Sequence, residues 1–276
     1  MSTGAAIPDR DEIALASAVP WSGRPAIRVL LKLLPGFAIL AILALWQLLS
    51  TTVIDPIVLP APIEVAKAWV GLLDEQFYWE AVRLTAWEAI AGFSIGASIG
   101  IVVGTIIGLN QYARRALYPL AVGFQTTPQV ALAPLFMVWF GFGTTPRILF
   151  SATTCVFPVL VAVVVGLGSA DPDSRTLLRS FGASRTQTYF RLLVPSSLPV
   201  VFAGIRVAVP LALIGAIVGE FVGGQGGLGV LLTQFNFQLQ MPNAFAVVAT
   251  LATLGLISYG IVELIDRRVV YWARRK

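Results

Sequence analysis

Three ionisable side chains, Glu88, Arg206 and Glu220, stand inside or at the ends of long apolar runs. Such a group is a functional candidate, because placing its charge mid-membrane costs about 2.5–3.5 kcal/mol on insertion scales unless something offsets it. Arg206, flanked by Pro199 and Pro210, can hold an anionic solute or pair with Glu88; pairing is the simpler reading. Glu220 precedes Gly223, Gly224, Gly226, Gly227 and Gly229, a loop that can serve as a gate or a docking surface. No strand precedes that loop and no Gly-Lys-Ser/Thr follows it, so it is not a nucleotide loop. Gln125, Thr126, Thr127 and Gln129 surround Pro128 in another apolar stretch. They either line a translocation path or hydrogen-bond within the helix packing, which polar groups in membranes often do.

Other chemistry is excluded. The chain has no histidine, which removes histidine metal ligation and histidine general-base catalysis. Its one cysteine, Cys155, lies in an apolar run and reads as a small buried hydrophobe. No acidic pair lies within an apolar run, so a membrane enzyme has little to work with. An ion-coupled secondary transporter would need coupling residues near the midplane, often in two repeated halves; Glu88 has no matching partner half.

The polar segment Asp171 to Pro199 is different in kind. It carries Arg175, Arg179, Arg185 and Arg191 against Asp171 and Asp173. Asp171-Pro172 is a helix start, an N-cap oxygen followed by a residue that needs no amide partner. Ser184-x-x-Gln187 has capping-box spacing and marks a second start. Gly182, between them, suits a sharp turn. The spacing predicts two short helices joined at Gly182: a structured elbow able to receive force from a partner.

The elements that position these residues are membrane spans. Of 276 residues, 57% are hydrophobic and 12% charged, and the mean hydropathy is +0.83; soluble domains carry about 25% charge. Leu33–Ile54 holds no charge over a length sufficient to span. Further apolar stretches run over 84–109, 117–141, 148–168, 197–221 and 244–262. The expectation is an all-α integral membrane protein of six spans: a tail 1–32, a membrane domain 33–266 containing the loop 171–195, and a tail 267–276. Fifteen of the nineteen Lys and Arg residues fall on one side of that topology. Lys67, Arg83 and Arg147 fall on the other, and Arg206 lies within a span. The positive-inside rule then places both termini and the elbow in the cytoplasm. Scattered over four segments, these charges are not a nucleic-acid footprint.

Gly92, Gly96, Gly100, Gly104 and Gly108 recur every fourth residue. They predict a close seam with another helix, within the chain or across a dimer. Pro128, Pro134, Pro158 and Pro210 predict bends in three spans. From Pro62 to Glu80, Ile63, Ala66, Val70, Leu73 and Phe77 keep helical spacing. They predict an amphipathic helix on the outer surface, with Trp69 and Trp79 at the interface.

The run Gly182-Ala183-Ser184, then Leu192 and Val194-Pro195, resembles the cytoplasmic loop of permease subunits of ATP-binding-cassette importers. That loop has an acidic-Ala-Ala triplet, a Gly four residues later, and Leu-Pro near its end. Here Gly182 and Pro195 keep the spacing, while the triplet falls on Thr176, Leu177 and Leu178. LPAP at 59–62, AGF at 91–93, ALAPL at 131–135, WFGFG at 139–143 and GE…GGLG at 219–229 extend the likeness from Leu59 to Trp272. The group it most resembles serves nitrate, taurine, alkanesulfonates, and thiamine or riboflavin precursors. The resemblance implies a type I importer permease in the bacterial inner membrane that is not itself an enzyme and carries no cofactor. ATP is bound by a separate cytoplasmic ATPase; a second permease copy, an external solute-binding protein and membrane lipid complete the partners. It implies ATPase coupling through Arg179, Gly182, Ala183, Ser184, Arg185, Gln187, Tyr189 and Pro195. Gln125, Thr127, Gln129, Arg206 and Glu220 are the expected path residues.

Overall fold

A computed structural model describes residues 25–125 and 127–274, with side chains from 34 onward apart from Pro35 and Arg274. The expected tail thus lies mostly outside the described residues, as does Thr126. The described residues are all helix and connection, in two units divided after Pro56. The first unit holds a single helix, α1 (Pro25–Thr52), which begins on a proline and stops two residues short of the end of the first expected span, Leu33–Ile54. Thr51 and Thr52 turn their hydroxyls back onto the Gln47 and Leu48 carbonyls at its end.

The second unit contains α2 (Pro62–Leu73), α3 (Gln76–Leu109), α4 (Gln111–Gln125), α5 (Ala133–Phe140), α6 (Thr144–Gly168), α7 (Pro172–Ser180), α8 (Arg185–Thr188), α9 (Val194–Gly223), α10 (Leu228–Phe237) and α11 (Met241–Val269). Among the described residues, α3, α6, α11 and the run Arg185–Gly223 are long and apolar enough to cross a membrane. Helix α6 lies between α3 and α9 and forms the heart of the unit, with Cys155, Val159 and Val164 fully enclosed.

The glycine ladder faces α6 within the chain, not a second copy. A Cβ on Gly100 would stand 2.8 Å from the Val156 carbonyl oxygen and 2.9 Å from the Val159 Cβ. On Gly104 it would stand 2.9 Å from the Leu160 carbonyl oxygen. Cys155 fits this seam, its thiol 3.3 Å from the Ala152 carbonyl. A second small-residue seam, Gly204, Ala208, Ala212 and Ala216, carries α9 onto the other side of α6. There Ser151 donates to the Ala212 carbonyl at 2.7 Å and Thr154 to that of Leu211 at 2.9 Å.

Two expectations are corrected. The third span, expected over 117–141, is not one helix: α4 stops at Gln125, a 3₁₀ turn covers Gln129–Leu132, and α5 follows. Pro128 disfavours helical geometry at the residue before it, and Pro134 starts α5 without needing an amide partner. Pro158 and Pro210, by contrast, sit inside continuous helices. The helix expected from Pro62 to Glu80 ends at Leu73, where Trp79 donates its indole N–H to the Leu73 carbonyl at 2.8 Å. Phe77 belongs to the first turn of α3. Val65 and Leu72 are the buried residues of α2, while Ile63, Ala66, Val70 and Leu73 face outward.

Candidate coupling elbow and buried ion cluster

Helix α7 starts where the Asp171 carboxylate accepts from the Ser174 hydroxyl at 2.6 Å and from the Ser174 and Asp173 amides. Those bonds, the Ser174 hydroxyl first, hold the Asp171 carboxyl below the usual carboxylate range. The helix ends in a Schellman stop. Gly182 has φ +72°, its amide donates to the Arg179 carbonyl at 2.9 Å, and the Ala183 amide donates to that of Leu178 at 3.0 Å. Ser184 then opens α8 through a reciprocal capping box with Gln187, at 3.2 and 2.9 Å. One π turn, Tyr189–Leu193, joins α8 to α9, with Pro195 in its first turn. Every joint of the elbow is therefore fixed by a local hydrogen bond, and the π turn makes α8 continuous with α9. Leu177 is 58% exposed and Phe181 80% exposed, the latter at the tip of the turn. Arg179, Ser184, Arg185 and Gln187 are also exposed; Ala183 and Tyr189 are half-buried.

At the other end of the long helices lies a buried ionic cluster. Arg147, 3% exposed in the first turn of α6, pairs with the fully buried Glu88 of α3 at 2.9 Å. It also donates to the Gly143 carbonyl at 2.7 Å and the Gly226 carbonyl at 3.1 Å. Glu220, 1% exposed, accepts from the Thr85 hydroxyl at 2.6 Å and from the Gly229 amide at 2.6 Å. Thr85 in turn accepts from the Leu228 amide at 2.8 Å. The cluster ties α3, α6 and α9 to the glycine loop. It also explains the spacing of GE…GGLG: Gly227 has φ +108°, and a Cβ on Gly229 would stand 2.8 Å from the Glu220 carboxylate.

The expected pairing of Arg206 with Glu88 is corrected. Arg206 pairs with Asp266 of α11, and Glu88 with Arg147. Glu220, expected on the path, is enclosed and engaged by donors of its own chain. Gln125 and Thr127 are exposed at the broken span, and Gln129 is half-buried beside them. Sequence reasoning missed Arg147, Thr85 and Asp266. Arg147 was counted among loop charges and Asp266 lies in a polar helix end, Ile265-Asp266-Arg267-Arg268. The four-residue spacing of Gly204, Ala208, Ala212, Ala216 and Glu220 was the available signal for α9.

A broken span, small-residue seams and an elbow continuous with a long helix define a helical membrane protein. The comparisons agree. Residues 96–271 match the model of the binding-protein-dependent transport system inner membrane component family, and the chain belongs to that family. It is 33% identical over 88% of its length to the formylaminopyrimidine transport permease protein ThiX of Halalkalibacterium halodurans, covering 96% of that protein. It is 33% identical over 85% of its length to the riboflavin transport system permease protein RibX of Chloroflexus aurantiacus, covering 88% of it. It is 27% identical over 84% of its length to a putative aliphatic sulfonates transport permease protein, SsuC, of Bacillus subtilis, covering 84% of it. A structure of the MetNI methionine ABC transporter, in an inward-facing conformation, shares the fold with a TM-score of 0.61 and 20% identity. That match covers 69% of this chain and 94% of the other. The chain is thus a multi-pass permease subunit of an ATP-binding-cassette importer, a transport component and not an enzyme.

Proposed function

We propose that residues 171–195 are the cytoplasmic coupling elbow of an importer for a small nitrogen heterocycle, with both termini on the same inner side. A separate ATPase binds the ATP. Its closure pushes the elbow, and the push passes through the π turn into α9 and swings two permease copies between inward and outward opening. The observation that carries this reading is the elbow itself: a Schellman stop and a capping box in tandem, with Leu177 and Phe181 projecting from the rigid piece. A side chain as exposed as Phe181 gains about 1.5–3 kcal/mol when a partner's groove covers it. Of the expected coupling residues, Arg179, Ala183, Arg185 and Tyr189 line a cavity instead; Gly182, Ser184 and Gln187 remain for the ATPase, joined by an apolar pair at the positions where the family loop has its triplet and its turn.

Solute passes the break between α4 and α5, where Gln125, Thr127 and Gln129 offer amides and a hydroxyl to polar ring atoms. The heterocycle class rests on the two 33% relatives, named for a formylaminopyrimidine and for riboflavin. The test is co-purification: tagged wild-type chain retains its ATPase, and Phe181→Asp loses it at equal membrane expression. Full retention by the variant would remove the docking role. Calorimetry of the partner binding protein with pyrimidines, flavins and sulfonates decides the solute; tight binding of a sulfonate alone would overturn the heterocycle.

A further inference from the structure

A cavity of about 540 Å³ lies between the elbow and the end of α3, and Phe181 does not line it. Arg175, Arg179 and Arg185 line it, and no carboxylate does. Among the described residues none of these three guanidiniums has an ion-pair partner; the ion pairs there are Arg147–Glu88, Arg206–Asp266 and Arg267–Glu263. The opposite wall is the last turn of α3, Gly108 and Leu109. Leu109 is the last residue of the apolar run of α3, which gives way there to Asn110 and Gln111. Val102, Ile106 and Leu109 share one face of α3 and are 58%, 58% and 53% exposed. They form an apolar strip that runs from the cavity wall back along the apolar length of α3.

We propose that this cavity binds the phosphate of an anionic phospholipid of the inner leaflet, with the acyl chains laid along that strip. Guanidinium forks match phosphate oxygens in geometry as well as charge. The volume suits a small headgroup. The apolar strip selects a lipid over a free phosphate, because only a lipid covers both halves of the site. The bound lipid would hold α7 against the end of α3, so the elbow's resting position would depend on the anionic content of the membrane. This proposal rests on the elbow facing the cytoplasm.

The experiment is native mass spectrometry of the detergent-solubilised full chain, titrated with phosphatidylglycerol and, separately, phosphatidylcholine. Each arginine near an anionic surface is worth about fivefold in affinity, and three together on the order of a hundredfold. The chain should prefer phosphatidylglycerol. Arg179→Gln alone should lower that preference about fivefold, and the triple glutamine variant should abolish it. Arg191→Gln, outside the cavity on the same elbow, should keep it. Equal loss in Arg191→Gln and Arg179→Gln, or a triple variant with full preference, overturns the site. Inorganic phosphate displacing phosphatidylglycerol at equal concentration overturns the lipid as its ligand. An Ala183→Cys variant labelled by an impermeant reagent from the outer side refutes the cytoplasmic placement alone, leaving the cavity to be judged by the spectra.

Discussion

Arg147 is the residue whose loss should cost the fold most. It is nearly sealed, and it supports one carboxylate and two backbone carbonyls at once: Glu88 at 2.9 Å, Gly143 at 2.7 Å and Gly226 at 3.1 Å. In Arg147→Met all three lose that donor. Glu88 then loses its counter-ion, and neither of its oxygens accepts a hydrogen bond. Breaking a buried pair from one side costs about 3–5 kcal/mol. Glu88→Leu should cost less, about 1.5–3 kcal/mol, because the guanidinium keeps both carbonyl acceptors. The double variant should recover part of the loss, because no carboxylate at position 88 is left stranded. The cycle should therefore close with a coupling energy of about 2 kcal/mol, within the range for residues in contact. The assay is reversible unfolding of the purified chain in mixed micelles with rising dodecyl sulfate, followed by tryptophan fluorescence. Single variants within about 0.5 kcal/mol of wild type, or effects that simply add, would refute the pair as a structural tie.

The other perturbations are local. Gly100→Leu should sharply reduce the yield of folded chain, because even its Cβ would stand 2.8 Å from the Val156 carbonyl oxygen. Ile101→Leu, on the exposed face, should not; equal monodisperse peaks in size-exclusion chromatography would contradict the seam. The Asp171 carboxyl titrates below its ordinary range, so its contribution to the cap is fully present above that range. It is lost as pH falls through the depressed value. Hydrogen-exchange protection of the Asp173 and Ser174 amides should fall with it in wild type and stay flat in Asp171→Asn; parallel profiles would show that the carboxylate does not hold the helix start.

How much was legible in the sequence follows the range of the forces. The elbow could be read because its joints are local: a cap needs only Asp171-Pro172, a stop only Gly182, a capping box only Ser184 and Gln187. The glycine ladder was legible as a seam, since five small residues on one face have no other simple use, but its partner was not. Which helix fills a groove depends on the packing of the whole chain. The ion pairs failed for the same reason. Glu88, Arg147, Arg206 and Asp266 offer two sensible pairings on charge alone, and neighbouring helices choose between them. The breaks near Pro128 and after Leu73 were hidden because apolar periodicity continues across both.

The central claim is that the elbow transmits force from an ATPase to the permease. Gly182 carries it, because φ +72° with open space around the position makes the penalty for a side chain one of backbone geometry rather than packing. The measurement compares wild type with Gly182→Val in proteoliposomes holding the full complex and its binding protein, recording solute uptake and solute-stimulated ATP hydrolysis together. The account predicts an assembled complex that still hydrolyses ATP, with uptake largely lost and stimulation absent. Wild-type uptake with normal stimulation in the variant would contradict it.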